Sequence, residues 1–191
     1  MATQVRGAAR RAQLLDQLVE LLLAEGFAHL TLDEIAGRLR CSKSTLYALA
    51  SSKEQLVRAA TVHFFRAATE RVEQALADAT GAHARIRAYL EAVGEQLRPA
   101  SRQFMTDLAE SDSARPVYER NTEIAAARVR DLITEGVDAG EFRDVHAAFV
   151  ADVTTATMVR IQRRQVAEAT GLDDARAYRE LAALVTTGLA T

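Results

Sequence analysis

The stretch Thr31-Leu-Asp-Glu-Ile-Ala-Gly-Arg-Leu-Arg-Cys-Ser-Lys43-Ser-Thr-Leu-Tyr47-Ala-Leu-Ala-Ser-Ser-Lys53 holds both lysines of a 191-residue chain whose other side-chain cations, histidine apart, are all arginines. Thr31 stands where a helix N-cap belongs, and Glu34, three residues on, completes a reciprocal capping box. The helix it opens, about Leu32–Leu39, turns Leu32, Ile35, Ala36 and Leu39 inward. Arg40-Cys41 make a tight turn. Ser42 caps the next helix, which turns Leu46 and Leu49 inward and leaves Lys43, Ser44, Thr45 and Tyr47 outward. Ser52-Lys53-Glu54-Gln55 reads as a second capping box, opening a third helix. The block is therefore two short helices across a tight turn, followed by the start of a long one.

Outward from this block the pattern is helical throughout. Residues from about Ala8 to Glu25 form an amphipathic helix on Leu14, Leu15, Leu18, Val19 and Leu22, stopped by Gly26, after which Phe27 packs. The helix from Lys53 continues to about Ala79. Further helices span about His83–Leu97, Ser101–Glu110, Arg115–Ala139, Asp144–Ala169 and Asp173–Leu189, with Pro116 in a first turn and Asp144 and Asp173 as caps. Gly140 and Gly171 serve as stops. No stretch alternates with the period of a strand, and no hairpin dipeptide sits between apolar runs. The expected fold is all-α with about nine helices: an N-terminal three-helix unit over residues 1–52, then a larger helical domain over residues 53–191.

Composition sets the bounds. Hydrophobic residues are 49% and charged residues 26% of the chain, and the formal net charge is −2, so bulk charge does not point to nucleic acid. Its distribution says more: residues 1–60 hold eight Arg/Lys against six Asp/Glu, while the remainder holds 16 against 20. Arg6, Arg10 and Arg11 precede any acidic residue, which suits either a phosphate-facing surface or simple solvation. The single cysteine, Cys41, excludes an internal disulfide and fits a reducing cytosol. It suits a small apolar residue of the turn, with a redox role as the alternative. The run Leu14–Ala24 is broken by Asp16, Gln17 and Glu20, so no membrane span is expected, and the reading is cytoplasmic. His29, His63, His83 and His146 lack ligand spacing, so neither metal nor cofactor is expected. Catalysis has no visible carrier: there is no glycine-rich phosphate loop and no nucleophile elbow.

The block at 31–53 does carry a chemistry. A helix-turn-helix presents its second helix to the major groove while the first braces it on the backbone. Here the second helix opens Ser42-Lys43-Ser44-Thr45. Lys43 can reach guanine acceptors or a phosphate, and Ser44 and Thr45 can bond to either. Tyr47 lies one turn after Lys43 on the same face, where its hydroxyl meets a phosphate. The candidate DNA-binding set is Thr31, Ser42, Lys43, Ser44, Thr45, Tyr47 and Lys53.

The combination of a first helix ending in Gly-Phe, then Thr-Leu-Asp-Glu-Ile-Ala, Ser-Lys-Ser-Thr-Leu-Tyr and Ser-Lys-Glu-Gln-Leu resembles the TetR family of transcriptional regulators. The resemblance implies a homodimer that binds double-stranded DNA at a palindromic operator, most often as a repressor released by a small-molecule effector. It implies phosphate contacts for Thr31, Thr45, Tyr47 and Lys53, and positions near base edges for Lys43 and Ser44. Three residues depart from the family pattern. Ala48 and Ala50 stand where relatives carry polar or aromatic side chains, and Arg40 stands where glycine is common. The alternative reading is an all-helical binding or adaptor protein whose DNA-reading surface has decayed.

The larger domain is expected to enclose an effector cavity lined from Phe65, Tyr89, Phe104, Met105, Leu108, Tyr118, Thr122, Phe149, Asp152 and Met158, although each suits plain core as well. With 5% aromatic residues and no tryptophan, an aliphatic or mixed pocket fits better than an aromatic cage. Arg160, Arg163 and Arg164 read as surface cations in the last turns of their helix. Small residues on the last two helices, Ala151, Thr155, Ala156, Ala182, Ala183, Thr186 and Thr187, permit close helix approach. By the resemblance they lie at the dimer interface.

Overall fold

The computed structural model describes residues 2–190, with side chains from Arg10 onward; Arg6, read above as a possible phosphate contact, has its side chain outside the described residues. Ten α-helices follow in order: α1 (Ala2–Glu25), α2 (Leu32–Arg38), α3 (Lys43–Tyr47), α4 (Lys53–Ala77), α5 (Ala82–Leu97), α6 (Arg102–Glu110), α7 (Arg115–Asp138), α8 (Ala147–Gln162), α9 (Gln165–Thr170) and α10 (Asp174–Leu189). The described residues contain no strand. The expected all-α class is what the structure has.

The tenth helix arises at Arg164. The sequence suggests one helix from Asp144 to about Ala169, but Arg164 adopts φ +61° and splits it into α8 and α9. Arg164 is therefore a left-handed joint, and its guanidinium lies 2.8 Å from the Asp174 carboxylate, so it is not a free surface cation. Asp144 is not the cap of α8. His146 is, its Nδ1 accepting the Phe149 amide at 3.2 Å. The second capping box also closes differently. Ser52 Oγ accepts the Gln55 amide at 3.2 Å, but the Gln55 side chain reaches back to Ser51, not to Ser52. Leu49 follows the end of α3 and is only half-buried.

The chain forms two compact units. The first comprises Met1–Ala67 and Pro99–Glu119, so α6 and the first residues of α7 join α1–α3 and the beginning of α4. Its core is Leu14, Leu18, Leu22, Phe27, Ile35, Leu46, Leu56, Phe64 and Leu108, all buried. Phe104 of α6 meets Phe27 edge-on at 6.0 Å and Phe64 at 6.2 Å between ring centres, a geometry that suits the ring quadrupoles. Truncating a fully buried leucine such as Leu18 here costs about 2–5 kcal/mol, as other core leucines do. The Ser101 amide donates to the Leu23 carbonyl at 2.8 Å, fastening the start of α6 to the end of α1.

The second unit comprises Ala68–Arg98 and Arg120–Thr191. Val72, Leu76, Ile86, Leu90, Leu132, Ile133, Phe142, Met158, Ile161, Tyr178 and Leu181 form its buried core. Gly94 lets α5 approach α10, since a Cβ there would lie 2.9 Å from the Tyr178 ring. Arg128 of α7 makes a two-pronged pair with Glu73 of α4 at 3.0 and 3.1 Å, and Glu135 and Arg85 extend the network to α5. These groups are partly exposed, so the network orders helices more than it stabilises them.

Candidate nucleic-acid interface

The interface is built on two short helices whose ends are chemically fixed. Thr31 Oγ1 accepts the Glu34 amide at 3.2 Å, and Glu34 Oε2 accepts the Thr31 amide at 2.7 Å. This closed box holds the Glu34 carboxyl below its ordinary pKa, chiefly through the bond from the Thr31 backbone. Ser42 Oγ accepts the Thr45 amide and also lies 2.7 Å from Ser44 Oγ and 2.8 Å from Thr45 Oγ1. Three hydroxyls are thereby gathered at the start of α3. Leu46, on the opposite side, is fully buried and pins the helix to the core.

The outward face carries the residues expected there. Thr31, Ser42, Lys43 and Ser44 are exposed, Tyr47 is 50% exposed, and Thr45 and Lys53 are half-buried. Two of these side chains have protein partners that the sequence did not reveal. Lys43 Nζ sits 2.7 Å from Asp33 Oδ2 of α2, and that bond raises its pKa. Lys53 Nζ donates to the Ala28 carbonyl at 2.9 Å, so it clamps the loop after α1. Arg11 joins them from α1, donating to the Leu49 carbonyl at 3.3 Å just beyond α3. Arg40 has φ +50°, so the turn between α2 and α3 is left-handed. Cys41 is half-buried, and burial pushes its thiol pKa up, which disfavours the reactive thiolate.

Two helices joined through a left-handed turn, the second capped by a serine cluster and pinned by one buried leucine, make a helix-turn-helix. Residues 14–60 match the model of bacterial regulatory proteins of the tetR family. Residues 14–60 thus carry a DNA-binding domain of the tetR family of bacterial regulatory proteins. Solved structures give the chain's fold over nearly the whole length. A transcriptional regulator from Saccharomonospora viridis, crystallised with choline, is 17% identical, with a TM-score of 0.80 over 96% of this chain and 99% of that one. A TetR/AcrR-family regulator from Thermobifida fusca is 22% identical, with a TM-score of 0.72 over 94% and 98%. The TetR-family regulator PfmR from Thermus thermophilus is 19% identical, with a TM-score of 0.67 over 93% and 99%. No curated protein sequence matches the chain.

The ten expected pocket residues fall in both units. Phe65, Phe104, Met105, Leu108 and Tyr118 are buried in the first unit. In the second, Tyr89 and Met158 are buried, Thr122 is half-buried, and Phe149 and Asp152 are exposed. One recess of about 490 Å³ in the second unit is lined instead by Arg71, Glu91, Gln96, Tyr178 and their neighbours.

The expected interface stripe divides as well. Ala151, Thr155, Ala182 and Thr186 are buried within the second unit, so they are already covered by their own chain. Helical spacing finds a stripe of small residues but does not say which side of each helix meets the core. Ala156, Ala183 and Thr187 are exposed, and beside them in their helices stand exposed Phe149, Val153 and Leu184, the last 72% accessible.

Among the described residues no group of three or more His, Cys, Asp and Glu could hold a metal ion. No described helix is long and apolar enough to cross a membrane.

Proposed function

We propose that this chain is a TetR-family regulator, a repressor that binds a palindromic operator as a homodimer in the cytoplasm and leaves it when a small molecule binds. The observation that carries the DNA-facing assignment is the α3 surface. Ser42, Lys43, Ser44 and Thr45 precede Tyr47 on a short helix whose only deeply buried side chain is Leu46. Lys43 and Ser44 meet base edges; Thr31, Thr45, Tyr47 and Lys53 meet phosphates; Ser42 holds the cluster in place.

A second copy covers the outer faces of α8 and α10. Phe149 and Val153 are one turn apart on α8, and exposed Leu184 on α10 adds to an apolar surface that a monomer leaves wet. Symmetric pairing would set two α3 helices one duplex turn apart or somewhat further, so the operator would be a short palindrome. The choline bound to the Saccharomonospora viridis regulator supports a small-molecule effector for this chain. Effector binding acts by differential affinity for two arrangements of the DNA-binding units.

The test is selection of bound sequences from a random duplex pool by the purified protein. Enrichment of a palindrome with fixed half-site spacing supports motif and dimer together. Enrichment of nothing above background, with only salt-insensitive protein partners found, returns the alternative of an adaptor with a decayed DNA-reading surface.

A further inference from the structure

We infer that Asp107 of α6 is a positioning residue for the helix-turn-helix: a carboxylate latch that holds the loop after α1, and through it the α2–α3 reading head, in the DNA-competent place. The inference rests on the DNA-binding role proposed for α3.

Asp107 is 3% exposed, a buried acid in an apolar core. Its Oδ2 accepts two backbone amides, Phe27 at 2.5 Å and Ala28 at 2.8 Å. Its Oδ1 accepts the Gln103 side-chain amide at 2.6 Å from one turn earlier in α6. These are charge-assisted bonds in a desolvated place, where losing the acceptor leaves two amide donors stranded. The same loop is held from its other side by Lys53, whose Nζ takes the Ala28 carbonyl. One peptide segment, Phe27-Ala28, is thus gripped by a carboxylate on α6 and an ammonium on α4, and three residues later Thr31 caps α2.

Gly26 makes the grip possible. It has φ +80°, and a Cβ there would lie 2.6 Å from both Asp107 Oδ2 and Gln103 Cγ. Glycine at the end of α1 therefore does two things: it turns the chain and it admits the acid. A cleft of about 230 Å³ opens beside the latch between Phe27, Lys53, Val57 and Glu110, so side chains have room to move when the latch opens.

The chain path gives the latch its use. The residues of α6 belong to the DNA-binding unit, but the chain enters them from Arg98 and leaves them at Arg120, both in the other unit. A displacement arriving along those connections reaches α6 first and the Phe27-Ala28 loop through Asp107. A shift of about 1 Å lengthens both amide bonds beyond useful range, releasing the loop without unfolding the core.

The test uses the full-length protein, the duplex recovered by selection, and the variants Asp107→Asn, Asp107→Leu and Gln103→Met. Affinity is measured with amide hydrogen exchange. The expected result is a folded Asp107→Leu protein whose exchange quickens from Phe27 through Tyr47, with DNA affinity down at least about tenfold and Asp107→Asn intermediate. A merely structural acid would lower the melting temperature while the folded protein bound DNA as wild type does. If Asp107→Leu does not fold, Asp107→Asn and Gln103→Met carry the test: affinity within twofold of wild type for both overturns the latch. Should wild type select no duplex, the DNA-binding reading fails on its own. The latch is then judged by exchange alone, and quickening confined to Phe27 and Ala28 overturns it.

Discussion

Lys43 of α3 and Asp33 of α2 form an ion pair, Nζ to Oδ2 at 2.7 Å, with both side chains largely in solvent. The cation expected to meet DNA is therefore parked on an acid that DNA would repel. Binding must exchange that carboxylate for a phosphate or a guanine edge. Asp33→Asn should release Lys43 and remove a negative charge from the face, tightening operator binding by about three- to tenfold and steepening its salt dependence. Fluorescence anisotropy across a salt series checks this. Unchanged or weaker binding would mean that Asp33 holds Lys43 in its working pose.

Removing the proposed contacts themselves gives the complementary result. Lys43→Ala should weaken operator binding by about ten- to hundredfold, with loss of discrimination at one base position. Tyr47→Phe deletes a single hydroxyl from a ring that is half exposed, and should weaken binding to all sequences alike by a smaller factor. Neither side chain is part of the core, so both variants should melt as wild type does.

The capping box predicts a pH effect with a definite sign. The Thr31 backbone and side-chain bonds hold the Glu34 carboxyl below its ordinary value of 4.5. A carboxylate whose folded pKa is depressed stabilises the fold fully above its unfolded value, and the contribution disappears as pH falls through the folded one. Glu34→Gln keeps an acceptor but no charge. It should be less stable than wild type at neutral pH and converge with it as the pH drops below 4.5. NMR titration of the Glu34 carboxyl gives the direct check, with Thr31→Val returning it toward the ordinary value.

The sequence was most legible where function is local. Both caps at Thr31 and Ser42, the buried Leu46 and the outward Tyr47 follow from spacings of three and four residues, and spacing survives without knowledge of the partner surface. Arg164 was illegible because nothing in Arg163-Arg164 breaks a helix. The left-handed turn accompanies a tertiary ion pair to Asp174. Ala151, Thr155, Ala182 and Thr186 were read as small interface residues, yet the chain's own core takes them, since periodicity finds a stripe and not what covers it. Asp107 was missed for the same reason. Its partners are backbone amides about 80 positions away, and amides leave no mark in a sequence.

Gly136 tests the packing of the second unit independently of DNA. It lies within α7, and a Cβ built on it would collide with the Phe142 ring and come within 2.8 Å of Ala82 Cβ. Phe142 is 3% exposed and cannot swing into solvent without losing its burial. Gly136→Ala should therefore destabilise by about 1–3 kcal/mol despite alanine's better helix propensity. Denaturant unfolding measures it. A stabilised variant would show that Phe142 has slack that the packing does not display.

Arg40 offers the opposite case, a substitution expected to stabilise. Its φ of +50° places a Cβ-bearing residue in the left-handed region between α2 and α3, where the penalty is about 1–2 kcal/mol. Glycine removes that penalty but loses more freedom on folding, by about 0.5–1 kcal/mol. The Arg40 side chain is exposed, so little packing is lost. Arg40→Gly should raise stability by about 0.5–1 kcal/mol, read from denaturant midpoints. DNA affinity separates the remaining roles of the residue. If arginine is retained at this turn for its charge beside the duplex, the glycine variant will be more stable yet bind the operator more weakly, with a salt slope reduced by about one.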